Sequence, residues 1–321
     1  MTENLGVALT SPPVTGQPPP GIDASGFEAT KARKQWQVIV RRFVRHRAAV
    51  VGMIMFVLLV IFAFIGGALW KYDYADLSFG RYEPPSADHP FGTDRLGGDM
   101  VAQTIRGLQF SLRIALIVAA VSTIIGVTLG ALAGYKKGWV DTLIMRFVDL
   151  ILVIPSLLIV AVLARSSFST LPGHQNSNWH LVAIYLSLVL WLQTARILRG
   201  MVLSLREKEF VEAATAMGAS TGRIVFRHIL PNTVDVVIVN ATLAVALAVL
   251  TEAALSFIGL GVKPPDTSLG LLISQNQGEL TLHPWLFFIP FAVIVLLLLS
   301  INFMGDGLRD AFDPRQRRVR A

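Results

Sequence analysis

Cysteine is absent from the 321 residues, so disulfides, cysteine-ligated zinc, iron–sulfur clusters and thiol catalysis are excluded. Charge is scarce as well: 15% of residues are Asp, Glu, Lys or Arg, against about 25% in a soluble domain. That shortfall points to lipid as the main solvent. The 53% apolar content is ample for six spans of about 20 residues each. Catalytic signatures are missing too. There is no GxxxxGKS/T phosphate loop, so the chain has no ATP site of that kind. The six histidines show no HExxH or other ligand spacing. Neither a GxSxG elbow nor a carboxylate pair in an evident cleft is present. The expectation is a chain with no catalytic residue, no bound metal and no cofactor of its own.

What is there is organised along the chain. Residues 1–30 hold five prolines and few large apolar side chains, which predicts a disordered Pro-rich tail. They do not read as a signal peptide, having no basic start followed by an apolar core. Residues 31–47, KARKQWQVIVRRFVRHR, interleave basic and apolar residues. That spacing suits an interfacial helix on lipid phosphates, or equally a charged flank that stops translocation.

Six apolar spans follow. The first is Ala48–Leu69, 22 residues without a charge, and an external loop carries the chain on to residue 110. The remaining five lie within 111–303, at about Ser111–Gly134, Leu143–Ala164, Leu181–Ile197, Val234–Ile258 and Trp285–Phe303. The approach to the second, Val101–Phe110, is amphipathic, and the fourth is only marginally long enough to cross. All are expected as helices, because lipid offers no partner to a bare backbone amide. A basic tail, 304–321, closes the chain.

The net charge of +7 fits either nucleic acid or a membrane surface until its distribution is read. With the N-terminus inside, 21 of the 28 basic residues fall on the inner side. The positive-inside rule then puts both termini in the cytoplasm. The excess charge is thereby a matter of topology, and the argument for a nucleic-acid partner lapses.

The most patterned connection is Gly200–Asn232, GMVLSLREKEFVEAATAMGASTGRIVFRHILPN. It is too long for a minimal link between antiparallel spans. Phe210, Val211, Ala213, Ala214 and Met217 can form an apolar face on a short helix. Gly218 permits a left-handed turn, and Ser220 or Thr221 can cap a second short helix that stops at Pro231, with Ile224, Val225, Phe226, Ile229 and Leu230 on its apolar side. Helices this short are marginal alone, so the hairpin needs a surface to dock on: its own bundle or a partner.

These residues carry a resemblance. Glu212-Ala213-Ala214, three residues, Gly218 and the ending Leu230-Pro231 resemble the EAA loop of ABC-importer permeases, with His228 at a position usually Ile. The ending FRHILPN is usual among peptide-importer permeases. HPFGTDRLGGD (His89–Asp99), GYKKGWVDTLIMRFVD (Gly134–Asp149) and EAALSFIGLGVKPP (Glu252–Pro265) are similar to the DppC/OppC-type subunits of dipeptide and oligopeptide importers. Gly98 departs from that pattern, which commonly has Arg there. The likeness covers most of the chain beyond Ala48.

The resemblance implies an all-α, six-helix, MetI-like permease in the bacterial cytoplasmic membrane. It would form half a channel with a second permease of the DppB/OppB type. One or two cytoplasmic ATPase subunits would supply ATP and Mg chemistry, and an external peptide-binding protein would deliver cargo. Phe210, Glu212, Ala213, Ala214, Met217 and Gly218 would form the coupling element seated on the ATPase. Import of a nickel chelate or another small solute is an alternative cargo. An ion-gradient carrier is the rival class, but no convincing internal repeat supports it.

Four further expectations concern the spans. Gly126, Gly130 and Gly134 form overlapping GxxxG steps, for packing inside this subunit or against the partner permease. Pro155 and Pro290 are hinges or static kinks. Arg146 and Asp149, three residues apart, pair across one helix face. Glu252, about 27 Å along the fifth span at 1.5 Å per residue, lines the outer part of the path with Ser256, or rests in headgroup water.

Overall fold

The computed structural model describes residues 35–165 and 179–312. The Pro-rich tail, Lys31, Arg33, Lys34 and residues 313–321 of the basic tail lie outside them. The described residues form helices joined by loops, with a single isolated backbone bridge between Thr93 and Asp99.

Helix α1 (Gln35–Arg45) is the amphipathic basic segment. It ends at His46, whose extended backbone and Nδ1, accepting from Ala49 N at 3.1 Å, cap the first span. That span, α2 (Arg47–Leu69), includes a π-helical turn at Phe62–Gly66. Helix α1 lies against the C-terminal end of the last helix, where Arg42 reaches Ala311 O.

Helix α3 (Met100–Lys136) has 37 residues, about 55 Å at 1.5 Å per residue, against some 30 Å of hydrocarbon. The amphipathic approach and the second span are therefore one continuous rod. Asp99 caps it, with Oδ2 accepting from Ala102 N and from Trp70 Nε1, both at 2.8 Å.

The third span is not the continuous helix expected over Leu143–Ala164. It is α4 (Gly138–Leu152) and α5 (Ser156–Arg165), bent by 86° at the break between them. Pro155 lacks the N–H a helix needs and biases Ile154 away from helical geometry, so the break falls there.

The fourth span, α6 (Trp179–Leu205), runs well past Ile197. Arg196 and Arg199 are not its end. Arg196 Nη2 bonds Asp149 Oδ1 at 2.7 Å, and Arg199 makes a two-pronged pair with Asp141 at 2.5 and 2.6 Å. Asp149 thus pairs with Arg196, and the expected Arg146–Asp149 pair does not form. A pairing across helices prevails because it ties α4 to α6.

Two short helical segments follow, α7 (Glu209–Ala216) and α8 (221–232), then α9 (Val234–Phe257), α10 (Leu269–Asn276) and α11 (Trp285–Phe312). Pro290 lies inside α11 without interrupting it. Among the described residues five helices are long and apolar enough to cross a membrane, and six if the bent α4–α5 pair is counted as one span. The core lies where α3, α6, α9 and α11 meet, around Leu112, Leu186, Leu192, Leu255 and Leu297.

Candidate coupling hairpin and buried polar sites

The connection between α6 and α9 folds as the expected hairpin, and its turn follows from Gly218. At the end of α7 the Gly218 N–H bonds Thr215 O at 2.9 Å, and the Ala219 N–H bonds Ala214 O at 3.1 Å. This pair of bonds is a Schellman ending, which needs a left-handed residue at its apex. Gly218 has φ +77° there. Ser220, extended at φ −66° and ψ 153°, starts the second segment but makes no side-chain cap. One helical turn, Thr221–Arg223, then passes into the π-helical Ile224–Ile229 and a tight turn at Leu230–Asn232.

The hairpin has two faces. Val211, Ala214, Ile224, Val225 and Ile229 are buried against Ala131 of α3 and Val202 of α6. Phe210 (40% exposed), Met217 (81%) and Phe226 (56%) point away, with Glu212 and Ala213 beside them. Ala214 packs on this subunit's own bundle, one of the two surfaces expected for the hairpin's apolar face. The outward Phe226 was missing from the expected site. A π-helix advances about 4.4 residues per turn, so 3.6-residue phasing cannot say which of Val225 and Phe226 turns inward.

The hairpin is wired to the bundle at its root. Arg206 Nη1 bonds Tyr135 O at 2.5 Å and its guanidinium lies 5.6 Å from the Tyr135 ring centre. Lys137 Nζ meets Glu207 at 3.3 Å. Above this, Gly126, Gly130 and Gly134 all face α6 of the same chain. A Cβ on Gly130 would stand 2.4 Å from Ala195 O, and one on Gly126 2.7 Å from Thr194 Cβ. The glycine seam thus serves packing within the subunit, and it joins α3 to the helix that leads into the hairpin.

Glu252 and Ser256 do not match a path-lining or headgroup position. Both are 1% exposed, closed inside the subunit. Glu252 accepts from Ser256 Oγ at 2.7 Å and from Ser111 Oγ at 3.3 Å. The partners explain the difference: Ser111 comes from α3, 141 residues away, and spacing within one span cannot reveal it.

At the opposite end of the molecule the connection before α3 and the connection between α9 and α11 interlock. His89 Nδ1 lies 2.8 Å from Asp99 Oδ1 and stacks on Tyr72. Tyr82 OH donates to Glu279 Oε1 at 2.9 Å, His283 Nδ1 lies 2.9 Å from Glu279 Oε2, and the Tyr82 and His283 rings stack at 4.1 Å. The hydrogen bonds from His283 and Tyr82 hold the Glu279 carboxyl below its ordinary value of 4.5. No group of metal-binding side chains occurs among the described residues.

Comparison with known proteins agrees with this architecture. The family of binding-protein-dependent transport system inner membrane components matches residues 126–318. The N-terminal TM domain of oligopeptide transport permease C matches residues 34–85. The oligopeptide transport system permease protein OppC of Mycobacterium tuberculosis (strain ATCC 25618 / H37Rv) is 43% identical over 285 residues, covering 88% of this chain and 96% of that protein. OppC of Bacillus subtilis (strain 168) is 37% identical over 300 residues, 92% of this chain and 96% of that one. An inward-facing structure of the MetNI methionine ABC transporter superposes with a TM-score of 0.52 at 21% identity, covering 67% of this chain and 98% of that one. That likeness establishes the fold. The protein is a multi-pass permease with a MetI-like fold, and it belongs to the family of binding-protein-dependent transport system inner membrane components.

Proposed function

We propose that this chain is a permease subunit of an ATP-driven importer for di- or oligopeptides, and that Phe210, Glu212, Met217, Gly218 and Phe226 form its coupling surface. The observation that carries the reading is the outward face of the hairpin. Three large apolar side chains stand exposed around Glu212 on a hairpin whose other face is fully packed. On the inner side of a membrane protein such a face is covered by a partner. An ATPase is the partner that an importer requires and that this chain does not contain.

In that assembly the chain forms half the translocation channel with an OppB-type permease. ATP and Mg sit on one or two cytoplasmic ATPase subunits, and an external binding protein presents the peptide. The peptide cargo follows the names of the OppC relatives. Both termini are cytoplasmic, as the basic asymmetry requires.

The test is purification of the tagged chain from its native membrane. Recovery of a second permease and an ATPase, with the ATPase lost from a Met217→Asp, Phe226→Asp variant, is the expected result. Recovery as an ion-coupled carrier without an ATPase would overturn the reading. The cysteine-free chain also allows a direct check of orientation. A cysteine at Ser86 should label in intact cells, and one at Ser204 only after permeabilisation.

A further inference from the structure

The connection between α9 and α11 is held at both ends by carboxylates, and the inner of the two has no counter-charge. Glu252, Ser111, Ser256 and Ser268 are each 1% exposed or less. Among the described residues no basic side chain pairs with Glu252; its partners are the hydroxyls of Ser256, Ser268 and Ser111. Those hydroxyls pass the contact on to helix α10. Ser111 Oγ accepts from Leu269 N at 3.3 Å, and Ser256 Oγ lies 3.4 Å from Ser268 Oγ, which accepts from Leu271 N at 3.1 Å. Glu252 therefore reaches the first backbone N–H groups of α10 through three serines: Ser111 on α3, Ser256 on α9 and Ser268 at the start of α10 itself.

The backbone packing around this cluster is as close as it can be. A Cβ on Gly270, in the first turn of α10, would stand 2.5 Å from Ala253 Cα. Past α10 the chain reaches Glu279, whose bonds to Tyr82 and His283 close the outer face.

We propose that Glu252 is a positioning residue that pins α10, and with it the outer connection 259–284, onto α3 and α9. This rests on the importer reading above and assigns the residue a place in it: Glu252 touches no cargo but sets the shape of the outer face that a binding protein meets. A carboxylate suits the task because it accepts from several hydroxyls at once, and removing it strands buried donors. A glutamine can keep the contact, since its carbonyl accepts from one serine while its amide donates to the other.

The cysteine-free chain provides the readout. Thiol labelling is measured in membranes open on both sides, with Ile273→Cys reporting α10 and Ile229→Cys reporting the coupling hairpin; both positions are buried. In Glu252→Ala, labelling at residue 273 should rise about tenfold while labelling at 229 stays slow, as local opening requires. Glu252→Gln should restore slow labelling and near-parental peptide uptake. Ser268→Ala, which keeps the carboxylate, should raise labelling at 273 by a smaller factor. It carries the test if Glu252→Ala fails to accumulate. Slow labelling at 273 in the alanine variants would overturn the pin, as would fast labelling at both sites, which marks general unfolding. A Glu252→Gln variant as defective as Glu252→Ala would also overturn it, because the charge itself would then be in use. None of these rates depends on transport, so a parent chain that imports no peptide sinks the importer reading and leaves the pin standing.

Discussion

The two ends of this molecule solve the burial of their side chains in opposite ways. The outer connections pair two of their carboxylates within the chain. Asp99 is shared by Ala102, Trp70 and His89, Glu279 by Tyr82 and His283, and aromatic rings close over both. The cytoplasmic hairpin satisfies only its inner face and leaves Phe210, Met217 and Phe226 open. A finished surface is shaped before anything binds it, whereas an unfinished one is completed by its partner. Substitutions at the outer end should therefore alter the local fold, and those on the hairpin's outer face should alter association while leaving the fold intact.

Two glycines sharpen this contrast, because one has no room beside it and the other has nothing but room. At Gly130 a Cβ would collide with Ala195 O at 2.4 Å. Gly130→Val should force α3 from α6, an overpacking cost of about 1–3 kcal/mol. The expected outcome is a sharp fall in membrane level, measured by quantitative blotting, with uptake lost in proportion. At Gly218 nothing stands within 4 Å of an added Cβ, but φ is +77°. Gly218→Val should cost about 1–2 kcal/mol of backbone strain, enough to lower a marginal docked population about 5–30-fold. Uptake and ATPase association should be lost at near-normal membrane level. Gly218→Asn, which tolerates the left-handed region, should keep most of both. Glu212→Arg, exposed and away from the packed face, should behave like Gly218→Val in uptake but leave the hairpin's buried residues protected from labelling. If Gly218→Val instead removed the protein from the membrane, the hairpin would be part of the fold and the contrast would fail.

Much of this was legible because lipid and helix periodicity act locally. The apolar runs marked the spans, and Glu212 to Pro231 marked the hairpin and its left-handed glycine. What stayed hidden depended on distant partners. The fourth span looked as if it ended near Ile197 because Asp149 and Asp141, which accommodate Arg196 and Arg199 inside the helix, come from another helix 47 and 58 residues away in sequence. Glu252 looked like a path residue because Ser111 and the start of α10 were not visible beside it. Pro155 announced a disturbance, but the 86° angle depends on how α4 and α5 pack, which one proline does not encode. The outward turn of Phe226 was lost to a π-helical advance that no residue type signals.

The smallest expected effect lies at the outer clasp, and it is one of pH. Glu279 is held below its ordinary value of 4.5 by the hydrogen bonds from His283 and Tyr82. A carboxyl lowered on folding contributes its stability above the unfolded value, and loses it as pH falls through the folded one. The clasp should therefore be intact across neutral and mildly acidic conditions, and loosen only below about pH 4.5, the unperturbed carboxyl value. The group is partly exposed, so water and salt screen the pairing and the change should be modest. A cysteine replacing Tyr82 would remove the clasp itself, so the reporter belongs beside it. Labelling at a Leu280→Cys position, followed by an acid-tolerant thiol reagent, should stay constant from pH 7 to 5 and rise as the pH drops further. In Glu279→Gln the rise should vanish, with labelling already slightly fast at neutral pH. A rise centred between pH 6 and 7 that survives Glu279→Gln would show that Glu279 does not hold the outer face together, and that its shape depends on groups elsewhere.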